Sequence, residues 1–423
     1  MVRAVILFAV SYAVMLAFPK IRAYAAVTSG IVFVASGMLP IGKIWSATDA
    51  NVILMLIGIM GLVALFTESG MPSLIAELII ERVPNVRIAA VSLALFSGII
   101  SAFVDNVATV LMLAPVGIEI CRRLDTDPVP FIIGIAVSSN LQGAATLVGD
   151  TTAIMLGSAL DMSFNDFFFY HGRPSVFFAV EIGAVIAAVI LYYIFRRETK
   201  KIPHLSGRTH VTDLVPSVLL VLLIAVLIGI SFIPDKPDHT NGMITCAFLL
   251  AGITVKAFAG RGRYAVGVAL SGIDFETVTL LVGLFIMIGG LENMGVVNAV
   301  AEYLTALGGG HVFTMYTVVV FGSVLISAFI DNIPYTATML PIIISVASRM
   351  NIDPTPLCFG LICGSTLGGN CTPVGAAANV TGIGILRREG YSVRNSDFFR
   401  IGIPFTVAAI IPAYVYIWVF FGV

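Results

Sequence analysis

Apolar runs follow one another along this chain, most of them close to the roughly 20 residues that an α-helix needs to cross about 30 Å of hydrocarbon. In the first part they cover residues 4–18, 25–39, 51–66 and 174–195, and in the second 212–233, 241–258, 274–292 and 400–421. Two kinds of interrupted segment lie between them. Residues 129–160 and 355–386 are long enough to cross, yet their centres read SSNLQGAATLVGDTT and GSTLGGNCTPVGAAAN. Glycine, proline and small polar residues at that depth predict discontinuous helices, because unwound backbone in a bilayer persists only where protein or a water-filled cavity satisfies its polar groups. The other kind is SAFVDNVATVLMLAP from Ser101 and SAFIDNIPYTATMLP from Ser327, with Asp105–Asn106 and Asp331–Asn332 inside apolar sequence. Only 34 residues separate Arg87 from Arg122, and 37 separate His311 from Arg349, too few for two crossings and a turn. Each is therefore predicted to be a re-entrant hairpin with its aspartate at the tip. The second arm of the first hairpin, Val107 to Gly117, would span about 16 Å, half of the core.

The pattern occurs twice. Asp105 and Asp331 lie 226 positions apart, as do Asn106 and Asn332, Pro115 and Pro341, Gly143 and Gly369, Thr146 and Thr372, and Gly149 and Gly375. A looser match, LIGIMGLVALFTESGM against LVGLFIMIGGLENMGV, has an offset of 225. The predicted fold class is an all-α polytopic membrane protein of two repeats, 1–195 and 212–423, joined by a basic linker, 196–211. Each repeat holds five crossings, one of them discontinuous, and one hairpin. An odd number of crossings per half makes the repeats inverted. With both termini outside, the cytoplasmic loops carry 18 of the 23 basic residues, as the positive-inside rule requires, so the expected location is a multi-pass inner (plasma) membrane protein.

Composition agrees: 58% of residues are hydrophobic and 11% charged, against about one quarter charged in soluble domains. A net charge of −1 gives no reason to expect a nucleic-acid partner, and five cysteines without ligand spacing give none to expect a metal or cofactor. The polar residues at depth are then the candidate site. A carboxylate inside a membrane is costly unless paired or protonated, and by default marks an ion or proton pathway. Asp105, Asp331 and Asp150 are the candidate coupling acids. No Lys, Arg or His is expected at matching depth to neutralise them. Asn106, Asn332, Thr146, Thr372 and Asn379 would line a solute site, with Gly143, Gly149, Gly369 and Gly375 admitting close backbone approach. Cys371 joins them as a thiol for a soft solute such as trivalent arsenic, and Glu181 is a further acid within a span.

The paired DN tips, each followed by an apolar arm ending in proline, together with GGNCTPVGAAAN and DFFRIGIP, resemble the ion-transporter superfamily. Its members include arsenite efflux pumps, sodium/proton antiporters, the melanosomal P protein and divalent-anion/sodium symporters. In the symporter branch the tips resemble Ser-Asn-Thr, whereas here they are Asp105-Asn106-Val107 and Asp331-Asn332-Ile333, which favours a proton-coupled branch. The resemblance implies a homodimer working as an elevator, with scaffold segments 1–87 and 212–310 and transport segments 88–195 and 311–423. It also implies, in some systems, a cytosolic ATPase partner. The expected function is proton-coupled export of a small inorganic solute, first arsenite or antimonite. Sodium/proton antiport is the alternative, and dicarboxylate or anion symport a more distant one. An intramembrane aspartyl protease also needs two membrane aspartates, but has no reason to duplicate the surrounding hairpin.

Overall fold

The computed structural model describes residues 1–201, 209–234 and 236–422. The first half is α1 (Val2–Ala17), α2 (Arg22–Ala35), α3 (Ile44–Ala47), α4 (Ala50–Glu68), α5 (Met71–Glu81), α6 (Val86–Ser101), α7 (Asn106–Arg123), α8 (Val129–Gln142), α9 (Thr151–Ala159) and α10 (Val176–Ile194). A two-stranded ribbon, β1 (Phe169–Tyr170) with β2 (Arg173–Pro174), precedes α10. The second half is α11 (Val215–Ile230), α12 (Thr240–Phe258), α13 (Gly262–Gly272), α14 (Phe275–Asn293), α15 (Val296–Leu307), α16 (Val312–Ser327), α17 (Asn332–Met350), α18 (Thr355–Gly368), α19 (Ala377–Arg388) and α20 (Asn395–Phe421). Among the described residues α4, α10, α12, α14 and α20 are each long and apolar enough to cross a membrane unaided. The linker expected over 196–211 lies partly outside the described residues, Arg208 included.

The halves share their local devices. Asp49 caps α4 through Val52 N (3.0 Å), and Asp274 caps α14 through Thr277 N (3.0 Å). Gly70 and Gly295, at φ +77° and +74°, turn the chain sharply into α5 and α15, a conformation that a side chain would strain. Each interrupted crossing breaks where glycine and small polar residues predict it, between α8 and α9 and between α18 and α19.

Three short helices, α5, α13 and α15, were not expected from the apolar runs, because 11 or 12 residues are too few to register as spans. The hairpin arms are also longer than expected. α7 does not stop at Gly117 but runs through Pro115 to Arg123, 18 residues or about 27 Å. Proline removes one backbone donor, but the flanking helical bonds carry the helix past it, as they do at Pro341 in α17.

Two cross-paired helix contacts sit between the halves. α2 lies along α14, where a Cβ on Gly283 would come within 2.5 Å of the Ala26 backbone, and α4 lies along α12, where one on Gly58 would meet Thr245 backbone at 2.4 Å. Small residues let membrane helices approach this closely when no hydrophobic effect drives them together. Replacing Gly283 by valine is expected to destabilise the protein by about 3 kcal/mol, read as a lower unfolding temperature in detergent. An unchanged temperature would mean that α2 and α14 do not pack in this way. Asn51, at the start of α4, and Glu292, at the end of α14, line one cavity of about 940 Å³, while the end of α4 meets α13 through Glu68 and Tyr264. α4 and its counterpart α14 thus run in opposite directions.

Candidate functional site

The two tips use their aspartates first as helix caps. Asp105 Oδ1 accepts from Val107 N (2.9 Å) and Ala108 N (3.2 Å), and Asp331 Oδ1 accepts from Ile333 N (3.1 Å). The asparagine that follows each tip reaches into a broken crossing. Asn106 Nδ2 donates to Asn140 Oδ1 (3.0 Å), and Asn140 Nδ2 in turn donates to Thr366 O (2.7 Å) and Asn370 Oδ1 (3.1 Å). Asn370 Nδ2 then returns to Val137 O at 2.9 Å. Three buried asparagines therefore stitch the first tip to both breaks.

The second tip reaches the first break. Asn332 Nδ2 lies 3.4 Å from Asp150 Oδ2, which also accepts from Thr152 Oγ1 (3.2 Å), and that hydroxyl stands 3.1 Å from Thr366 Oγ1. Asp150 caps α9 through Thr151 N (2.7 Å), and the charges of Asp105 and Asp331 both reach it. The two hairpin tips and the two interrupted crossings are thus brought together around three aspartates. Asn140, Asn370, Thr152 and Thr366 were missing from the sequence reading. Asn140 and Asn370 stood in the two interrupted centres, but lack counterparts at the repeat offset, where Thr366 and Ala144 occur.

Thr146 and Thr372 donate to Ala102 O and Ala328 O, the last carbonyls of the descending hairpin arms. A Cβ on Gly149 would lie 2.5 Å from Gly143 O, 2.9 Å from Ser101 O and 3.0 Å from Ala102 O. One on Gly375 would lie 2.6 Å from Gly369 O, 2.8 Å from Ser327 O and 2.9 Å from Ala328 O. Each glycine closes a ring of three carbonyl oxygens, and Gly143 itself touches Asp150 Cβ. Asn379 is turned back on its own break, donating to Gly369 O (3.0 Å) and Thr372 O (3.1 Å). Cys371 faces the Thr406 hydroxyl of α20. All five cysteines are free, and among the described residues no three His, Cys, Asp or Glu are grouped to hold a metal ion. Glu181 lies beside Gln142, 3.5 Å from its amide nitrogen.

One expectation is overturned. A basic side chain does stand at the depth of the acids: Arg22 Nη1 meets Asp331 Oδ2 at 2.8 Å, and its Nε meets Glu276 Oε1 at 2.9 Å. Arg22 lies between the apolar runs 4–18 and 25–39, but it is the first residue of α2. The tip of the second hairpin comes down to it. Asp105 has no such partner; among the described residues its Oδ2 takes no hydrogen bond, and the nearby charge is a like one, Asp274.

Known proteins agree with this architecture. A family model described as a citrate transporter matches residues 12–260 and 242–423. The chain belongs to that family. Curated relatives of the citrate-transporter family chain include an uncharacterized transporter of Mycobacterium tuberculosis, 30% identical over 98% of this chain and 97% of its own length. A 46 kDa membrane protein of Mycobacterium leprae is 34% identical over the same shares. The human P protein is 25% identical over 85% of this chain, but the match spans 52% of that protein. The crystal structure of the Alcanivorax borkumensis YdaH transporter shares the fold, with a TM-score of 0.62 and 15% identity over 89% of this chain and 87% of that one. The family consists of transporters and not enzymes, so the protease reading falls away.

Proposed function

We propose that this family member is a proton-coupled secondary transporter that exports a small solute by an elevator movement. The observation that carries the reading is the convergence of Asp105, Asp150 and Asp331 on four helix breaks, with one guanidinium among them in the described residues and that one shared with Glu276. Such a site carries excess negative charge, which disfavours a bare tricarboxylate such as citrate and suits protons, small cations or a neutral hydroxylated solute. Arsenite and antimonite, undissociated hydroxides near neutral pH, are the first solutes to test. With no cluster of three thiols among the described residues, they would be held by asparagine and threonine groups. Sodium/proton antiport is the second reading, since carboxylates gathered at one site also suit a hard cation, which takes oxygen ligands.

The opposite directions of α4 and α14 support an inverted repeat, and the basic loops support termini outside the cytoplasm in an inner membrane. The elevator reading assigns 88–195 and 311–423 to the moving body and 1–87 and 212–310 to a scaffold that dimerises. In this reading Asp105 and Asp331 stand against Arg22, Asp274 and Glu276 at the end of the scaffold assigned to the cytoplasmic side. Proton flux should be measured in proteoliposomes with arsenite, antimonite, sodium and citrate offered separately. Proton movement with the first two supports the leading reading, and with sodium alone the second. Flux with citrate only, or with none of the four, rejects both.

A further inference from the structure

Arg22 links two bodies that the elevator reading sets in motion against each other, and the inference here rests on that reading. Its Nε is held by Glu276 at the start of α14, and Nη1 by Asp331 at the tip between α16 and α17. Both oxygens of Asp331 are thereby used, one by the helix cap and one by the guanidinium. Arg22 and Asp331 are largely enclosed, with side chains 23% and 18% exposed. An ion pair so placed is harder to screen than one in open water.

The pair has no counterpart in the other half. At the local offset of 225 Glu276 corresponds to Asn51, and the packing matches Arg22 of α2 to Asn241 of α12, since Ala26 meets Gly283 as Thr245 meets Gly58. The Asn51 side chain is already engaged, accepting from Gly242 N at 2.9 Å. The one basic residue of α12, Lys256, pairs with Asp213 at 3.3 Å. Asp105, the counterpart of Asp331, would therefore meet no matching arginine–glutamate pair if the moving body crossed to the opposite end, where Lys236 and His239 line the cavity beside Asn51 and Asn241. A symmetric machine would carry the same bridge at both ends; this one carries it at one.

We propose that Arg22 is a tethered competitor for the cation position at the second hairpin tip, and that the Glu276–Arg22–Asp331 bridge latches the empty carrier in the form described here. A proton or small cation taken up at Asp331 displaces the guanidinium, which stays with Glu276 on the scaffold, and the hairpin is released. Arg22 thus sets which charge the second tip accepts: a transported cation must outcompete it, and a solute that cannot leaves the carrier latched.

The test reads the position of the moving body rather than transport. Ser46, before α4 on the scaffold, and Ala159, at the end of α9 on the moving body, are both exposed and both line the 940 Å³ cavity. In a variant with the five native cysteines replaced by serine, spin labels at Ser46→Cys and Ala159→Cys report the separation by pulsed electron–electron double resonance in solute-free liposomes. Arg22→Gln is expected to shift the ratio of the two distance populations away from the form described here by about fivefold, the lower end of ordinary coupling between sites. Arg22→Lys, which retains the charge but loses the two-pronged geometry, is expected to shift it less. Glu276→Gln should shift it in the same direction as Arg22→Gln. If Arg22→Gln fails to fold, a shift in the other two supports the latch. Distributions that match the parent in every folded variant overturn it. Loss of all solute-driven proton flux in the parent, with the shift present, would instead reject the transport reading and leave the latch standing.

Discussion

Replacing Asp105 by asparagine is expected to reduce uphill solute accumulation to the passive level, a fall of at least about tenfold or about 1.4 kcal/mol, while leaving the fold intact. Asparagine caps a helix about as well as aspartate, so the bonds from Val107 N and Ala108 N survive. What disappears is the tip acid that no basic side chain neutralises among the described residues. Asp331→Asn is expected to lower accumulation too, because it removes the carboxylate that Arg22 holds and at which the proposed latch is released, while Arg22 retains Glu276. Flux with a pH-sensitive dye in proteoliposomes, beside unfolding temperatures in detergent, separates loss of coupling from loss of structure. Parental flux in both variants would sink the proposal that these acids carry the coupling protons.

Gly149→Ala and Gly375→Ala should each cost about 3 kcal/mol and abolish transport. In both cases the new methyl group would overlap backbone oxygens of the hairpin arm and of the break at once, at distances from 2.5 to 3.0 Å. A flexible side chain gives way, but these carbonyls belong to helix ends already held by Thr146 and Thr372. Gly322→Ala in α16 and Gly384→Ala in α19 are the controls, because nothing stands within 4 Å of the added methyl group. There alanine is expected to be neutral or to stabilise by up to about 1 kcal/mol through helix propensity. Equal melting shifts at all four positions would show that the hairpins do not close on the breaks.

Much of this arrangement was legible in the chain because a bilayer penalises the residues concerned. Asp105, Asp331 and the glycine-rich centres stand out where lipid-facing sequence would be apolar, and their recurrence 226 residues apart ties them into one design. α5, α13 and α15 were not legible, being too short to satisfy a span criterion. Asn140, Asn370, Thr152 and Thr366 were missed as members of the site because their partners are remote. Asn140 meets Thr366 and Asn370 more than two hundred positions away, and no spacing rule joins them.

The sequence by itself determined that the chain is a membrane protein, where its helices break, that it is duplicated, and which acids lie at the breaks. Each of these follows from a local cost, that of placing polar backbone or a charge in hydrocarbon. Tertiary structure alone decided how the acids are treated. Arg22, from near the other end of the chain, neutralises Asp331, Asp105 meets no cation among the described residues, and Asp150 is claimed by Asn332. An ion pair depends on separation in space and on the solvent excluded around it, and two residues 309 positions apart carry neither quantity in their order along the chain.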